Sequence, residues 1–433
     1  MSASRWLEDF RVAGARVRWH APALEHAMAV ASTIPAFDLD ALIHPLRAED
    51  FFAEHWERRP LHHRRGDESY YAQVLTTADL DRLISAADLR YPAIQLARHG
   101  GYFPPEVYTT SIKHGTEVWS GVPDIEKILR EYRSGATVVL PALHRTWAPL
   151  RELCAGLERH LSHAVHANAY LTAGNTTGFL PHHDTHEVFV LQIGGKKCWR
   201  VHAPPVVLPH RTQPFTRPGP ALGAPLLEVE LRPGDLLYLP RGYVHSAATS
   251  DSFSAHVTVG VTVYTWVELL AELAQSSKDL PSFRAALPVG FAHREDLRDA
   301  LKEGLATRLA ELLTQGDGDA LVDGFKFRVR SAQPRAEVAF RADTRVIGPR
   351  TELARPEEHR YLVATEEGNT TLFFDGRKLV LPAGVRSTLD AICARPSFRF
   401  GELPPHLEDH ATLAFVQFLE GEGFLRQVDA PEP

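Results

Sequence analysis

Apolar positions change their period twice along this chain, and the changes divide it. Residues 1–35 form a polar lead-in without sustained periodicity. In Ala48–Trp56 the residues Phe51, Phe52, His55 and Trp56 recur at helical spacing until Pro60 stops the run, since proline cannot continue a helix. Ala78–Leu89 sets Leu80, Leu83, Ile84 and Ala87 on one face, with Thr77 available as N-cap. Between Tyr91 and Arg133 the pattern is irregular, broken by Gly100-Gly101 and Pro104-Pro105, and ends in an amphipathic stretch near Ile125–Tyr132. Ala136–Leu140 reads as a buried strand and Trp147–Leu161 as a helix.

From Ala164 to about Thr265 the texture becomes short β-rich runs separated by glycine and proline. They are Val165–Tyr170, His183–Ile193, Lys196–Val201, Leu226–Leu231, Asp235–Leu239 and His256–Tyr264. Strands at this spacing predict a sandwich or barrel of the jelly-roll type. Ala203–Ala224, dense in proline, reads as a rim or lid segment. After Trp266 the helical period returns, with Leu269, Leu270 and Leu273 on one face. Leu297, Leu301, Leu305, Leu309 and Leu312 then follow in Arg294–Thr314. That second stripe is long enough for an inter-subunit contact, although intramolecular packing is the commoner use of such a face. From about Arg345 comes a smaller unit with two strands, Tyr361–Thr365 and Thr371–Phe374. A turn at Asp375-Gly376, a strand to Leu381 and helices near Ser387–Ala394 and His410–Gly421 complete a winged-helix pattern.

Composition narrows this picture. At 433 residues the chain exceeds the roughly 250–300 at which single cores stop growing, so more than one domain is expected. Cys154, Cys198 and Cys393 lie far apart and make neither a disulfide framework nor a thiolate zinc site. The start carries charges and no apolar signal core, and no run is long enough to span a membrane, so the expected location is the cytoplasm. A net charge of −7 argues against direct nucleic-acid binding, and residues 345–433, with fourteen acidic and ten basic side chains, lack the basic footprint of a nucleic-acid-binding winged helix. An acidic surface suits a basic protein or peptide partner.

The candidate chemistry lies in the β-rich region. Pro181-His182-His183-Asp184 is answered by His245 in Pro240-Arg241-Gly242-Tyr243-Val244-His245. Two histidines and one carboxylate are the protein inventory of a facial-triad Fe(II) site, whose open positions take a chelating cosubstrate and dioxygen. Strand alternation puts His182 and Asp184 on one face and His183 on the other. It also puts His186, Val188, Val190 and Gln192 on the His182 face. Gly194-Gly195 reads as a two-residue hairpin turn that pairs Gln192 with Lys197 and so aims Lys197 into the same interior. A buried lysine needs an anion, and 2-oxoglutarate has one carboxylate to spare after chelating iron. His62-His63 and His114 read as structural histidines.

Residues 136–265 resemble the JmjC-type cupin oxygenases, and specifically their ribosomal oxygenase branch. The likeness rests on Gly178-Phe179-Leu180-Pro181-His182-His183-Asp184, Phe189-Val190-Leu191-Gln192, Gly195-Lys196-Lys197, Trp199-Arg200-Val201 and Pro233-Gly234-Asp235 through His245. Phe51-Phe52 with Trp56-Glu57-Arg58-Arg59-Pro60-Leu61 is similar to the family's N-terminal signature. The resemblance implies a mixed α and β chain with a double-stranded β-helix (jelly-roll cupin) core, a helical dimerisation region and a C-terminal winged-helix domain. Placed on this sequence, these give an extension at 1–35, a catalytic domain at 36–265, the dimerisation region at 266–343 and the winged helix at 344–433. It further implies that His182, Asp184 and His245 hold Fe(II), that Lys197 binds the distal carboxylate of 2-oxoglutarate, and that Asn168 and Tyr170 line that pocket. One position departs from the family: where a serine often helps hold the cosubstrate, this chain has Gly260, with Thr258 two residues earlier as a substitute. The expected activity is hydroxylation of a protein side chain, histidine or arginine of a ribosomal protein, by a homodimer. The rival readings are a tailoring oxygenase of a biosynthetic peptide or small molecule, and a metal-binding cupin scaffold without catalysis.

Overall fold

The computed structural model describes residues 10–12, 15–17, 37–86, 89–216, 222–277, 280–314, 322, 325–326, 328–329, 346–355, 361–366, 369–374 and 377–428. Most of the lead-in at 1–35, the turn at Asp375-Gly376 and most of 315–343 lie outside the described residues. The chain packs as two compact units, Ala31–Val263 and the combination of Met1–Val30 with Tyr264–Pro433.

Two sheets build the first unit. The larger runs, in spatial order, Leu61–His63, Leu236–Leu239, Glu187–Gly195, Ser254–Thr262, Ala164–Thr172, Thr137–Leu140, Gln95–Arg98 and Gly101–Tyr102. The smaller holds Leu227–Leu231, Lys197–His202 and Val244–Ala248, and isolated bridges Thr177↔Ala248 and His182↔His245 set residues 177–182 along its edge. From 187 to 262 the chain alternates between the sheets at nearly every strand, which is the topology of a cupin jelly roll. With helices such as Ala148–Leu161 packed outside the larger sheet, the fold is mixed α and β as expected.

The alternation of the Glu187–Gly195 strand explains its near-continuous apolar sequence, since both faces are covered. Val188 and Val190 meet Trp199, Val201 and Leu237 between the sheets. Phe189 and Leu191 face the helical side, where Phe51 packs edge-on to Tyr238 at 5.0 Å and against Phe189 at 5.8 Å. The Phe51 cluster is thus the wedge that seats the N-terminal helix Ala48–Glu54 on the jelly roll.

Several local expectations are corrected. His182–His186 are not strand: regular pairing begins only at Glu187, because this segment carries the chain from the edge of the smaller sheet to the larger one. Strand parity therefore does not orient His182 and Asp184. Gly194-Gly195 is not a hairpin turn either. Gly194 and Gly195 pair with Ala255 and Ser254 in the larger sheet, whereas Lys197 already pairs with Leu231 in the smaller one. The chain changes sheets here, passing so close to Phe253 that a Cβ on Gly195, whose φ is +61°, would sit 1.8 Å from the Phe253 carbonyl oxygen. The helix Thr77–Ala86 is capped by Thr76: its Oγ1 accepts from the Asp79 N–H at 3.1 Å, and Asp79 accepts from the Thr76 N–H at 2.9 Å. Within the irregular stretch, Thr109–His114 and Glu117–Pro123 form an antiparallel hairpin.

In the second unit, Thr265 and Glu268 form a capping box that starts the helix Trp266–Ser276. The helix Arg298–Thr314 leaves Leu305 and Leu309 exposed, at 59% and 39%. Further on, Tyr361–Glu366, Asn369–Phe374 and Arg377–Leu381 make one antiparallel sheet, and Glu352–Ala354 pairs with Ser397–Arg399 and Arg426–Gln427 in another. Helices Arg386–Cys393 and Asp409–Gly421 bury Leu389, Ile392, Val416 and Leu419 against Leu353, Leu372 and Phe374.

Candidate metal centre

Main-chain hydrogen bonds bring the ligand-bearing segments together before any side chain does. His182 and His245 exchange both bonds of an antiparallel bridge, at 3.1 and 2.8 Å, and the Gly242 N–H donates to the Asp184 carbonyl at 3.0 Å. Gly242 has φ +91° and passes the Val206 carbonyl so tightly that a Cβ would lie 2.5 Å from it. Only glycine fits that turn. His182, Asp184 and His245 consequently converge, with one ligand atom from each within 4.8 Å of the others. His245 Nε2 is 3.5 Å and His182 Nε2 4.0 Å from the Asp184 carboxylate.

The imidazoles are held in the tautomer a metal needs. His182 Nδ1 lies 2.8 Å from the Leu180 carbonyl and His245 Nδ1 3.1 Å from the Tyr243 carbonyl. A carbonyl can only accept, so each Nδ1 carries the proton and each Nε2 offers its lone pair toward Asp184. Burial, aided by His182, pushes His245 down to about 4, which keeps it neutral and able to ligate. Burial works to raise the Asp184 carboxyl, but the positive charge that His186, His245 and His182 carry when protonated outweighs it and holds the carboxyl below the ordinary range. His183 is not part of the ligand cluster: its Nε2 lies 3.4 Å from the Gln213 carbonyl and its ring is edge-on to Phe215. Two neutral nitrogens and a carboxylate on one side of a cavity suit a divalent ion with open positions, which is the donor set of Fe(II) oxygenases.

The cavity beside the triad measures about 400 Å³, and Lys197, Asn168, Tyr170 and Thr258 all line it. Lys197 is 3% exposed and makes one hydrogen bond, from Nζ to Thr172 Oγ1 at 3.3 Å; among the described residues it has no ion pair. Burial pushes its ammonium down to about 7. Asn168 uses its Oδ1 to accept from the Ala142 N–H at 2.9 Å. Tyr170 stacks on His256 with ring centres 5.0 Å apart, and burial raises its phenol. Thr258 pairs in register with Asn168, and His256 with Tyr170, so these four share one wall.

Gly260 has a steric cause. A Cβ there would lie 2.5 Å from the His166 ring and 2.7 Å from His186. These two imidazoles, whose centres are 5.0 Å apart, fill the volume that a serine would enter.

A second feature escapes local sequence reading. Arg241 Nη1 donates to Glu187 Oε1 at 2.7 Å and also to Glu57, while Glu187 Oε2 accepts from the Tyr238 hydroxyl at 2.6 Å. The Tyr238 hydroxyl in turn accepts from the Glu57 N–H at 3.0 Å, and the Tyr243 hydroxyl donates to the Arg58 carbonyl at 2.6 Å. Trp56-Glu57-Arg58-Arg59 is thus the strap behind the His245 turn. His62, on the strand Leu61–His63, sits 3.8 Å from the Asp235 carboxylate and is not among the triad ligands. The side chain of His114 lies outside the described residues.

A family model described as the JmjC domain matches residues 145–269, which contain the triad and all four cavity residues above. Over 302 residues the chain is 32% identical to ribosomal oxygenase 1 of Gallus gallus, covering 65% of this chain and 48% of that protein. It is 30% identical over 282 residues to the bifunctional lysine-specific demethylase and histidyl-hydroxylase NO66 of Aedes aegypti, covering 60% of this chain and 42% of that one. The chain therefore spans about half the length of the curated relatives it matches. A crystal structure of the Escherichia coli ribosomal oxygenase YcfD is also similar, at 20% identity and a TM-score of 0.47, over 88% of this chain and 98% of that one. Residues 145–269 thus match the JmjC domain, and over 65% of its length the chain is similar to a ribosomal oxygenase.

Proposed function

We propose that this protein is an Fe(II)- and 2-oxoglutarate-dependent oxygenase that hydroxylates a side chain of a basic protein or peptide, with a ribosomal protein as the leading substrate. The observation that carries this reading is Lys197: a buried ammonium without an anion, in the same cavity as three convergent metal ligands. Leaving such a group unpaired is costly, so the cavity is built for an anionic guest beside the metal. When bound, iron and 2-oxoglutarate supply the oxidising chemistry, while the protein orients them and excludes water. In this reading His182 and His245 hold the metal through Nε2 and Asp184 through its carboxylate. Lys197, Asn168, Tyr170 and Thr258 line the cosubstrate end.

Among the described residues that line the cavity, Asp184 alone is acidic, which favours an uncharged imidazole over a guanidinium as the side chain entering it. We further assign the helical stretch within 266–343 to homodimer contact, on the exposed Leu305 and Leu309, and residues 344–433 to a winged-helix module without direct nucleic-acid contact. Among the described residues no helix is long and apolar enough to cross a membrane, and we place the protein in the cytoplasm. The test is incubation of the iron-loaded protein with 2-oxoglutarate and either ribosomal proteins or short basic peptides. Succinate release with a gain of one oxygen atom on a ribosomal protein supports the reading. Gain on peptides alone points to a tailoring oxygenase, and release of no succinate leaves a metal-binding scaffold.

A further inference from the structure

His256 is the buried polar side chain of the cavity for which the catalytic reading has no use. It is 3% exposed and lines the cavity, and among the described residues its buried Nδ1 has no hydrogen-bond partner. Its ring is sandwiched by geometry rather than held by polar partners: it stacks on Tyr170 at 5.0 Å and 9°, and meets Trp199 edge-to-face at 5.7 Å and 88°. An imidazole always carries at least one N–H donor, and a buried donor without an acceptor is costly. Three neighbours define where an acceptor would sit. Lys197 is close enough to bear on its protonation, Tyr170 fixes its ring plane, and Trp199 stands two residues from Lys197 on the same strand face. Trp199 adds a second buried donor, Nε1, without a partner.

We propose that His256 binds the remote carboxylate of the dicarboxylate cosubstrate together with Lys197, acting as a neutral hydrogen-bond donor. The inference rests on the 2-oxoglutarate reading of the preceding section and names a residue that reading lacks. Charge accounting favours a neutral donor. Lys197 supplies one positive charge for one carboxylate, and a second cation beside it would be left uncompensated in a buried site. Burial, with the Lys197 charge second, holds His256 well below its ordinary pKa, consistent with a ring that stays neutral. A carboxylate accepts several hydrogen bonds, and Lys197 already spends one of its own on Thr172, so a second donor completes the grip. The strand register provides it, because His256 lies two residues before Thr258 on the face that looks into the cavity.

The experiment measures ligand binding to manganese-substituted protein by calorimetry, under argon, with 2-oxoglutarate and with pyruvate, which has the same chelating end but no remote carboxylate. Manganese content is measured alongside. His256→Phe keeps a flat ring against Tyr170 and removes the donors; His256→Gln restores an amide donor. We expect His256→Phe to weaken 2-oxoglutarate by about tenfold or more, as for loss of a hydrogen bond to a charged group. Pyruvate affinity and manganese content should be unchanged, and His256→Gln should recover most of the loss. Wild-type 2-oxoglutarate affinity in His256→Phe, with Lys197→Ala impaired, overturns the role of His256. Wild-type affinity in Lys197→Ala as well overturns the cosubstrate reading itself. If His256→Phe does not fold, His256→Gln and His256→Ala decide: equal affinity in the two removes the donor role.

Discussion

Arg241 offers the most severe test of how the metal turn is held. Its side chain is 5% exposed and bridges Glu57 to Glu187, whose side chain is fully buried. Replacing Arg241 with methionine keeps much of the stem volume but leaves the Glu187 carboxylate with only the Tyr238 hydroxyl. Breaking a buried pair from one side costs about 3–5 kcal/mol. For a unit of this size that is a fall in Tm of roughly 6–20 °C. The pH dependence follows from Glu187. Burial already raises its carboxyl above the ordinary value despite Tyr238 and Arg241, and losing Arg241 raises it further. Over the range between the unfolded and folded pKa the folded state holds more protons, so stability falls as pH rises. The deficit of Arg241→Met against wild type should therefore be smaller at pH 5 than at pH 8. Adding Glu187→Gln removes the stranded charge and should return a large part of the loss, as a positive coupling in the double-mutant cycle. Urea unfolding of all four proteins at both pH values measures this. A double variant no more stable than Arg241→Met, or a deficit that grows toward pH 5, would refute the network. Because the same turn donates Gly242 N–H to Asp184 and carries His245, metal affinity should also fall by about 10–100-fold.

Other outcomes follow from the site. His182→Ala and Asp184→Ala should lose bound iron and 2-oxoglutarate turnover together, read by metal analysis and succinate release; turnover at the wild-type rate in either removes the triad. Lys197, lowered to about 7 by burial, must be protonated to pair with a carboxylate. Its proton is present below that pH and is taken up on binding above it, so the 2-oxoglutarate Kd should rise between pH 7 and 9, and calorimetry in buffers of different ionisation heat should detect the uptake. A Kd that falls over that interval contradicts the assignment. Gly260→Ser should destabilise by about 1–3 kcal/mol because its Cβ would overlap His166 and His186, and thermal unfolding reads the difference.

How the sequence yielded this site is best seen at Lys197. Its inward direction was legible, but through a hairpin that does not exist. The chain changes sheets at Gly194–Lys196, and the partner that forces the change, Phe253, lies nearly sixty residues downstream, so no local pattern contains it. The ligand identities were legible for a sounder reason: two histidines and a carboxylate are the donor set this chemistry uses, whatever backbone carries them. Their orientation was not legible, because a pair of main-chain bonds between His182 and His245 replaces the strand that was expected there. His256 could have been found, since it shares the parity of Thr258, and a histidine inside an apolar strand calls for a partner. The Glu57, Arg241 and Glu187 network has the same signal, charged residues set in apolar runs, but its partners are separated by up to 184 positions. A buried charge in the sequence states that a partner exists; only the fold supplies its address. That is why the N-terminal motif around Trp56, which resembled a signature without a stated task, becomes intelligible only when Tyr238, Arg241 and Tyr243 are seen to close against it.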